Sequence, residues 1–303
     1  MTVAVSAGYT QYSGNFIPEI WSGKLQVKFY KSTVLGEITN NDWEGEIKGQ
    51  GDKVHIRTIP TITIRDYTKG MNLTNEVPTS TPLELTIDNG KYFSVVVDDV
   101  DAVQADVKLM DIFTNDASEQ MKIAIDGDVL SGVKAAAATA NKGATAGAIS
   151  ANLNLGTDAS PRAASKTTVL DIILDMGQTL DEQNVPETGR WLVIPAWMAA
   201  IIKGSELRQA YLTGDSVTPL RNGKIGMIDR FTVYVSNNLP KTADGDSYVM
   251  GGTNDAISFA SQITNVETLR AQSTFGNIMR GLNVYGYKVV KPEALVNAIV
   301  VKA

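Results

Sequence analysis

Apolar and polar residues alternate through Lys53-Val-His-Ile-Arg57, Ile62-Thr-Ile64, Leu83-Glu-Leu-Thr-Ile87 and Lys91-Tyr-Phe-Ser-Val-Val-Val97. A period of two predicts half-buried strands. Asn89-Gly90, between the last two runs, predicts a hairpin turn, because both turn residues need positive φ. Between the outgoing and returning strands, Asp66–Thr81 is rich in Thr, Asn and Ser and holds Gly70 and Pro78. A two-stranded arm alone is marginal in water, so one this long is expected to lean on another copy of the chain.

The period then changes from two to between three and four. Val103, Val107, Met110, Phe113, Ala117, Met121, Ala124 and Val129 predict one helix from about Asp101 to about Val133. At ~1.5 Å per residue it spans roughly 50 Å, and no Pro interrupts it. Asp98, Asp99 and Asp101 crowd its start, where carboxylates cap free amides and complement the helix dipole. The same acids could instead hold a hard cation, but the strand-to-helix junction explains all three.

The rest of the chain predicts short elements. Residues 1–44 read as an irregular arm with scattered glycines and the single aromatics Phe16 and Trp21, packed on a neighbour or on the chain's own core. Lys134–Ala151 is Ala-, Gly- and Thr-rich and reads as fraying helix plus linker. Val169, Leu170, Ile173, Leu174 and Leu180 mark a helix over 165–183 with Pro186 past its end. A buried strand is expected at Arg190–Pro195, then a helix from about Ala196 to Lys203. Further strands are expected at 223–228, 231–235, 248–250, 282–290 and 298–302, and a short helix at 254–262. The class is α+β, with one dominant helix and no solenoid-type repeat.

Composition narrows the function. The chain has 303 residues, 43% of them hydrophobic, enough for a sizeable core. A net charge of −6 argues against a dedicated nucleic-acid binder. Zero cysteines exclude disulfides, thiolate metal sites and a Cys nucleophile. The first basic residue is Lys24, so no secretory signal is expected, and the apolar run Leu192–Ile202 is too short to span a bilayer.

Catalytic chemistry has little to stand on. The one histidine, His55, lies between Lys53 and Arg57 on the polar face of a strand, and no Gly-x-Ser-x-Gly elbow exists. Asp126-Gly-Asp128 and Asp244-Gly-Asp246 look like calcium-loop fragments but lack the spaced acids and distal Glu. Gly251-Gly-Thr-Asn-Asp255 lacks the Lys-Ser/Thr of a phosphate loop and reads as a tight turn. No catalytic residue, metal site or cofactor is expected. Near the arm, Arg57, Arg65 and Lys69 alternate with Asp66 and Glu76, a mixed pattern that suits a protein partner.

In this order the segments resemble the major capsid protein of tailed bacteriophages, of the Hong Kong ninety-seven fold. The resemblance rests on Pro18-Glu-Ile-Trp21, Gly51-Asp-Lys-Val-His-Ile56, Val96-Val-Asp-Asp-Val-Asp-Ala-Val-Gln104, Asn184-Val-Pro186 with Gly189-Arg-Trp-Leu-Val-Ile-Pro195, and Ile225-Gly-Met-Ile-Asp-Arg-Phe-Thr-Val-Tyr-Val-Ser-Asn-Asn-Leu-Pro240. Arg230 stands where the family often has Gly, which puts the turn geometry there in question.

The resemblance implies an N-terminal arm (1–44), an extended β-hairpin loop with flanking strands (45–99) and a spine helix (100–134). It also implies a peripheral domain (135–195 and 255–303) and an axial domain (196–254). Its function would be a structural subunit of pentamers and hexamers in an icosahedral head, assembled in the host cytoplasm around double-stranded DNA. Arg57, Arg65, Asp66, Tyr67, Lys69 and Glu76 on the loop, and Phe16 and Trp21 on the N-terminal arm, would contact neighbouring copies. Lys–Asn cross-links occur in some relatives, and Lys69 lies on the loop. With the loop starting so near Met1, a separate scaffolding protein is expected; a portal protein is a further partner, and no membrane is. An encapsulin-like protein container is the alternative with the same fold.

Overall fold

The computed structural model describes residues 30–43, 53–60, 62–80, 82–99, 109–205, 226–272 and 275–303. Its elements in chain order are α1 (Leu35–Ile38), β1 (Lys53–Ile56), β2 (Leu83–Thr86), β3 (Asn89–Asp98), α2 (Leu109–Val133), β4 (Arg162–Ala164) and α3 (Val169–Glu182). There follow β5 (Arg190–Ile194), α4 (Ala196–Lys203), β6 (Met227–Ile228), β7 (Phe231–Val235), β8 (Ser247–Thr253), β9 (Ile257–Arg270), β10 (Gly276–Val289) and β11 (Leu295–Lys302).

The main core surrounds a mixed six-stranded sheet of order β4-β11-β8-β5-β7-β6. β5 lies inside it, parallel to β7 and antiparallel to β8, and all five of its residues are buried. A strand covered on both faces reads as a continuous apolar run, as Trp-Leu-Val-Ile does here. α3 presents Ile172, Ile173, Met176 and Leu180, three or four apart, to the same apolar cluster as Leu192, Val249, Val296 and Val300. Asn184, at φ 58°, ends α3 in the left-handed region. The amides of Asn184 and Val185 then return to the carbonyls of Asp181 and Leu180, closing the helix C-terminus. The expected segment limits at 195/196 and 254/255 both fall among the strands of this one sheet.

A second, three-stranded antiparallel sheet has the order β3-β10-β9, and β1 and β2 pair as a separate antiparallel ribbon. The ribbon packs close to β10: a Cβ on Gly286 would lie 2.1 Å from the Thr86 carbonyl oxygen. Ile56, Leu85, Ile87 and Ala260 form a small apolar cluster there.

Four sequence expectations are corrected. Residues 254–262 do not form a helix: Asn254–Ala256 is one tight 3₁₀ turn, and β9 begins at Ile257. Asn89-Gly90 is not a hairpin turn. Both residues open β3, opposite Tyr285 and Val284, because β3 pairs with β10 and not with β2. Ile62–Ile64 has no strand partner and is exposed. Lys134–Ala151 is not a loose linker. It buries Ala137 and Ala146, and Asn141 is fully buried, donating to the carbonyls of Glu293 and Leu295 while accepting from Gln183.

The long helix is described from Leu109, and Asp101, Val103 and Val107 lie outside the described residues. Its core-facing stripe is Met121, Ile125, Val129, Leu130 and Val133, whereas Phe113 and Ala124, read from sequence as apolar-face positions, are exposed. The 25 described residues span about 37 Å.

Candidate assembly surfaces

The arm leaves the β1–β2 ribbon at Arg57 and returns at Pro82. Its legs are tied by few bonds. Ser80 Oγ donates to the Thr58 carbonyl at 2.5 Å, and Thr63 donates through its amide and hydroxyl to the Glu76 carboxylate at 3.3 and 3.4 Å. At the tip the Met71 amide returns to the Thr68 carbonyl, with Lys69 and Gly70 between them. Gly70 has φ 91°, which a turn of this kind requires at its third position and which disfavours a side chain. Every described residue from 62 to 80 is exposed.

Arg57, Arg65, Asp66, Tyr67, Lys69 and Glu76 are thus all exposed along this arm, with Lys69 at its turn. Phe16 and Trp21 lie outside the described residues. The stronger signal is apolar. Ile59 is 96% exposed, Ile64 90% and Val77 86%, and Ile62, Tyr67 and Leu73 also face solvent. Sequence reading singled out the polar residues of the arm; the aliphatic ones inside a polar stretch were the available clue. At the arm's root, a cleft of about 490 Å³ is lined by Trp43, Ile56, Arg57, Ile59, Val290 and Lys291, among others.

A second uncovered surface is one face of the three-stranded sheet. Cross-strand rows place Tyr92 beside Leu282, and Val96 beside Ile278 and Leu269, with the Arg280–Glu267 ion pair between the rows. Tyr92 is 80% exposed, and Phe275, at the β9–β10 connection, is exposed as well. Exposed apolar rows on a regular sheet are the kind of surface that receives a partner.

The remaining candidates resolve into structural roles. His55 and Lys53 both face Glu84 across the ribbon, at 3.6 and 3.7 Å. Asp99 grips the Arg270 guanidinium through both of its oxygens, and this bond raises the arginine pKa. Gly251 and Gly252 lie inside β8, where a Cβ on Gly252 would meet the Ala294 carbonyl at 2.5 Å, so sheet packing accounts for that glycine. Asp246 and Thr242 brace the turn before β8 around Gly245 at φ 93°. Asp229 and Arg230, at φ 45° and 66°, form the two-residue turn between β6 and β7, so the left-handed geometry is kept with Arg in place. Arg230 also pairs with Asp181 and Glu187.

Asp126 and Asp128 sit inside α2, not in a calcium loop. Asp126 is buried and accepts from the Val34 and Leu35 amides at 3.0 Å and from Asn238 at 2.7 Å. Asp128 accepts from the Tyr285 hydroxyl at 2.5 Å, and burial, then that bond, push the tyrosine pKa up. Among the described residues no group of three or more His, Cys, Asp and Glu could hold a metal ion, and no helix is long and apolar enough to cross a membrane.

No curated protein matches the chain. Among solved structures, a chain from Mycobacterium phage Che8 is 30% identical, with a TM-score of 0.79 over 93% of this chain and 97% of that one. The capsid of cyanophage P-SCSP1u is 14% identical with a TM-score of 0.71, covering 95% of this chain and 94% of that one. The mature capsid of bacteriophage PhiM1 is 16% identical with a TM-score of 0.66, covering 95% and 93%. The last two show the fold alone. The family described as phage capsid protein matches residues 83–298. With uncovered arms and sheet faces in place of a reaction centre, and with that match over most of its length, the chain belongs to the phage capsid protein family as a structural, non-enzymatic subunit of the virion shell.

Proposed function

We propose that this chain builds a closed icosahedral head from pentamers and hexamers of itself, and that the arm from Arg57 to Pro82 lies across a neighbouring copy. One observation carries this. The arm presents Ile59, Ile62, Ile64, Tyr67, Leu73 and Val77 to solvent and has only a few polar bonds of its own. Arg57, Arg65, Asp66, Tyr67, Lys69 and Glu76 would set its register on the neighbour, since mixed charges favour one docking over others. The N-terminal segment with Phe16 and Trp21 would reach another copy.

The three-stranded sheet with α2 forms the peripheral wall in this reading. The six-stranded body forms the axial part at the capsomer centre, taking in residues 135–195 and 292–303 as well. A separate scaffolding protein directs closure, a portal protein occupies one vertex, and double-stranded DNA is held non-specifically. The net charge of −6 suits a container that releases its contents, because tight phosphate contacts would oppose release. The family match leaves the encapsulin-like alternative without a supporting observation.

Deleting residues 67–80 tests the arm. The expected outcome is a subunit that melts cooperatively at the wild-type temperature yet forms no shells by sedimentation and negative-stain electron microscopy. Normal shells from the deleted chain, or loss of its cooperative melt, would sink the assignment.

A further inference from the structure

Helix α2 is held from two sides within three residues. Side chains two apart on a helix point about 200° apart, so Asp126 and Asp128 face opposite ways. Asp126 binds the Val34 and Leu35 amides and Asn238, which follows β7 of the six-stranded body. Ser236, in the same loop, adds a bond from its hydroxyl to the Ser32 carbonyl at 2.8 Å. Asp128 binds Tyr285 of β10, and Lys91 of β3 stands 4.0 Å from it, so this carboxylate belongs to the three-stranded sheet.

Gly127 lies between the two anchors. Glycine is the poorest helix former after proline, so a glycine in a helix interior calls for a reason. The other glycine near this end of the helix has one: a Cβ on Gly132 would lie 1.9 Å from the Tyr287 hydroxyl. Gly127 has none of that kind, for a Cβ there would meet nothing within 4 Å. Packing therefore accounts for Gly132 and leaves Gly127 unexplained.

We infer that Gly127 is a bend point of the long helix, placed where bending changes the angle between the six-stranded body and the three-stranded sheet. Glycine-containing turns are where helices deform most readily. The two carboxylates carry the deformation to opposite bodies, since each is bonded to one of them. The inference rests on the chain's role as a shell subunit: one sequence must fill pentamer and hexamer positions of different curvature, and a single soft turn lets it do so without repacking either core.

Gly127→Ala is the test, because an added methyl meets open space and the variant folds. The expected result has three parts: a melting temperature raised by about 2 °C, amide exchange over residues 123–131 slowed by about tenfold, and a several-fold lower yield of closed shells. Gly132→Ala serves as the contrast, with a lowered melting temperature from the clash with Tyr287. Unchanged exchange in the isolated Gly127→Ala subunit would overturn the bend point, whatever the chain assembles into. Wild-type yield and size distribution of shells from the variant would also overturn it while leaving the capsid function standing. If neither chain forms shells with the scaffold supplied, it is the pentamer–hexamer function that falls, and the exchange measurement still decides the bend.

Discussion

The six-stranded body and the arm use the same aliphatic residues in opposite ways. In the body, every residue of β5 and β8 is buried, and Leu192, Ile194 and Val249 are closed off by their own chain. In the arm, every described residue from 62 to 80 is exposed, Ile62, Ile64, Leu73 and Val77 included. One region is complete within a single chain and the other is not. Fully burying an aliphatic side chain contributes about 2 kcal/mol, so the arm withholds on the order of 10 kcal/mol of gross burial from the lone subunit. Ordering and association costs take back much of that on docking.

The contrast is broken most severely from the arm side. Ile64→Asp with Val77→Asp leaves unfolding of the subunit within about 0.5 kcal/mol of wild type, while shells disappear at concentrations where the wild type assembles. Sedimentation and urea titration on one preparation check both halves. In the body the effect is reversed: Leu192→Ala costs about 3 kcal/mol of stability in urea, and assembly falls only as far as the folded fraction falls.

Asn141→Ala sharpens the boundary of the body. It strands the carbonyls of Glu293 and Leu295, so a loss of about 2 kcal/mol is expected in the same titration. A loss below the error of the titration would return residues 134–151 to the status of a linker.

Smaller effects come from the surface of the body. Glu182 accepts from the Ser150 and Ile149 amides, and chiefly the Ser150 bond holds its carboxyl down to about 2. A depressed carboxyl stabilises the fold above its unfolded value of 4.5, and the gain fades as pH falls from there through about 2. Glu182→Gln should thus cost less than about 1 kcal/mol at pH 7, after allowance for solvent screening, and nothing at pH 2. Arg230→Gly is the smallest. It relieves a left-handed non-glycine residue but removes the pairs to Asp181 and Glu187, for a net change below about 0.5 kcal/mol in thermal melts.

Legibility in the sequence followed the range of the interactions. α3, β5 and α4 could be read directly, since their periodicity is set by a core on one side or on both. β9 was read as a helix over its first residues because Ala256, Ile257 and Ala260 repeat at helical spacing. Its strand form depends on pairing with β10, which local spacing does not reveal. Asn89-Gly90 misled for the same reason: the preference for a turn lost to a long partner strand. The arm itself was visible as an unusually long polar excursion, but its aliphatic residues were read as strand when they are exposed apolar surface. Asp126 was hidden by its resemblance to a loop motif, although Met121, Ile125 and Val129 place it beside the buried face of a helix.

An arm that docks on a surface other than its own is a head-to-tail contact, and such contacts are not self-complementary. Two copies joined this way still leave one arm in water, as does an open row of any length. Only a closed ring leaves no arm over. The uncovered aliphatic residues of the arm therefore act as a count of completeness: each open end carries the same apolar exposure however many copies have joined, and closure removes the last of it.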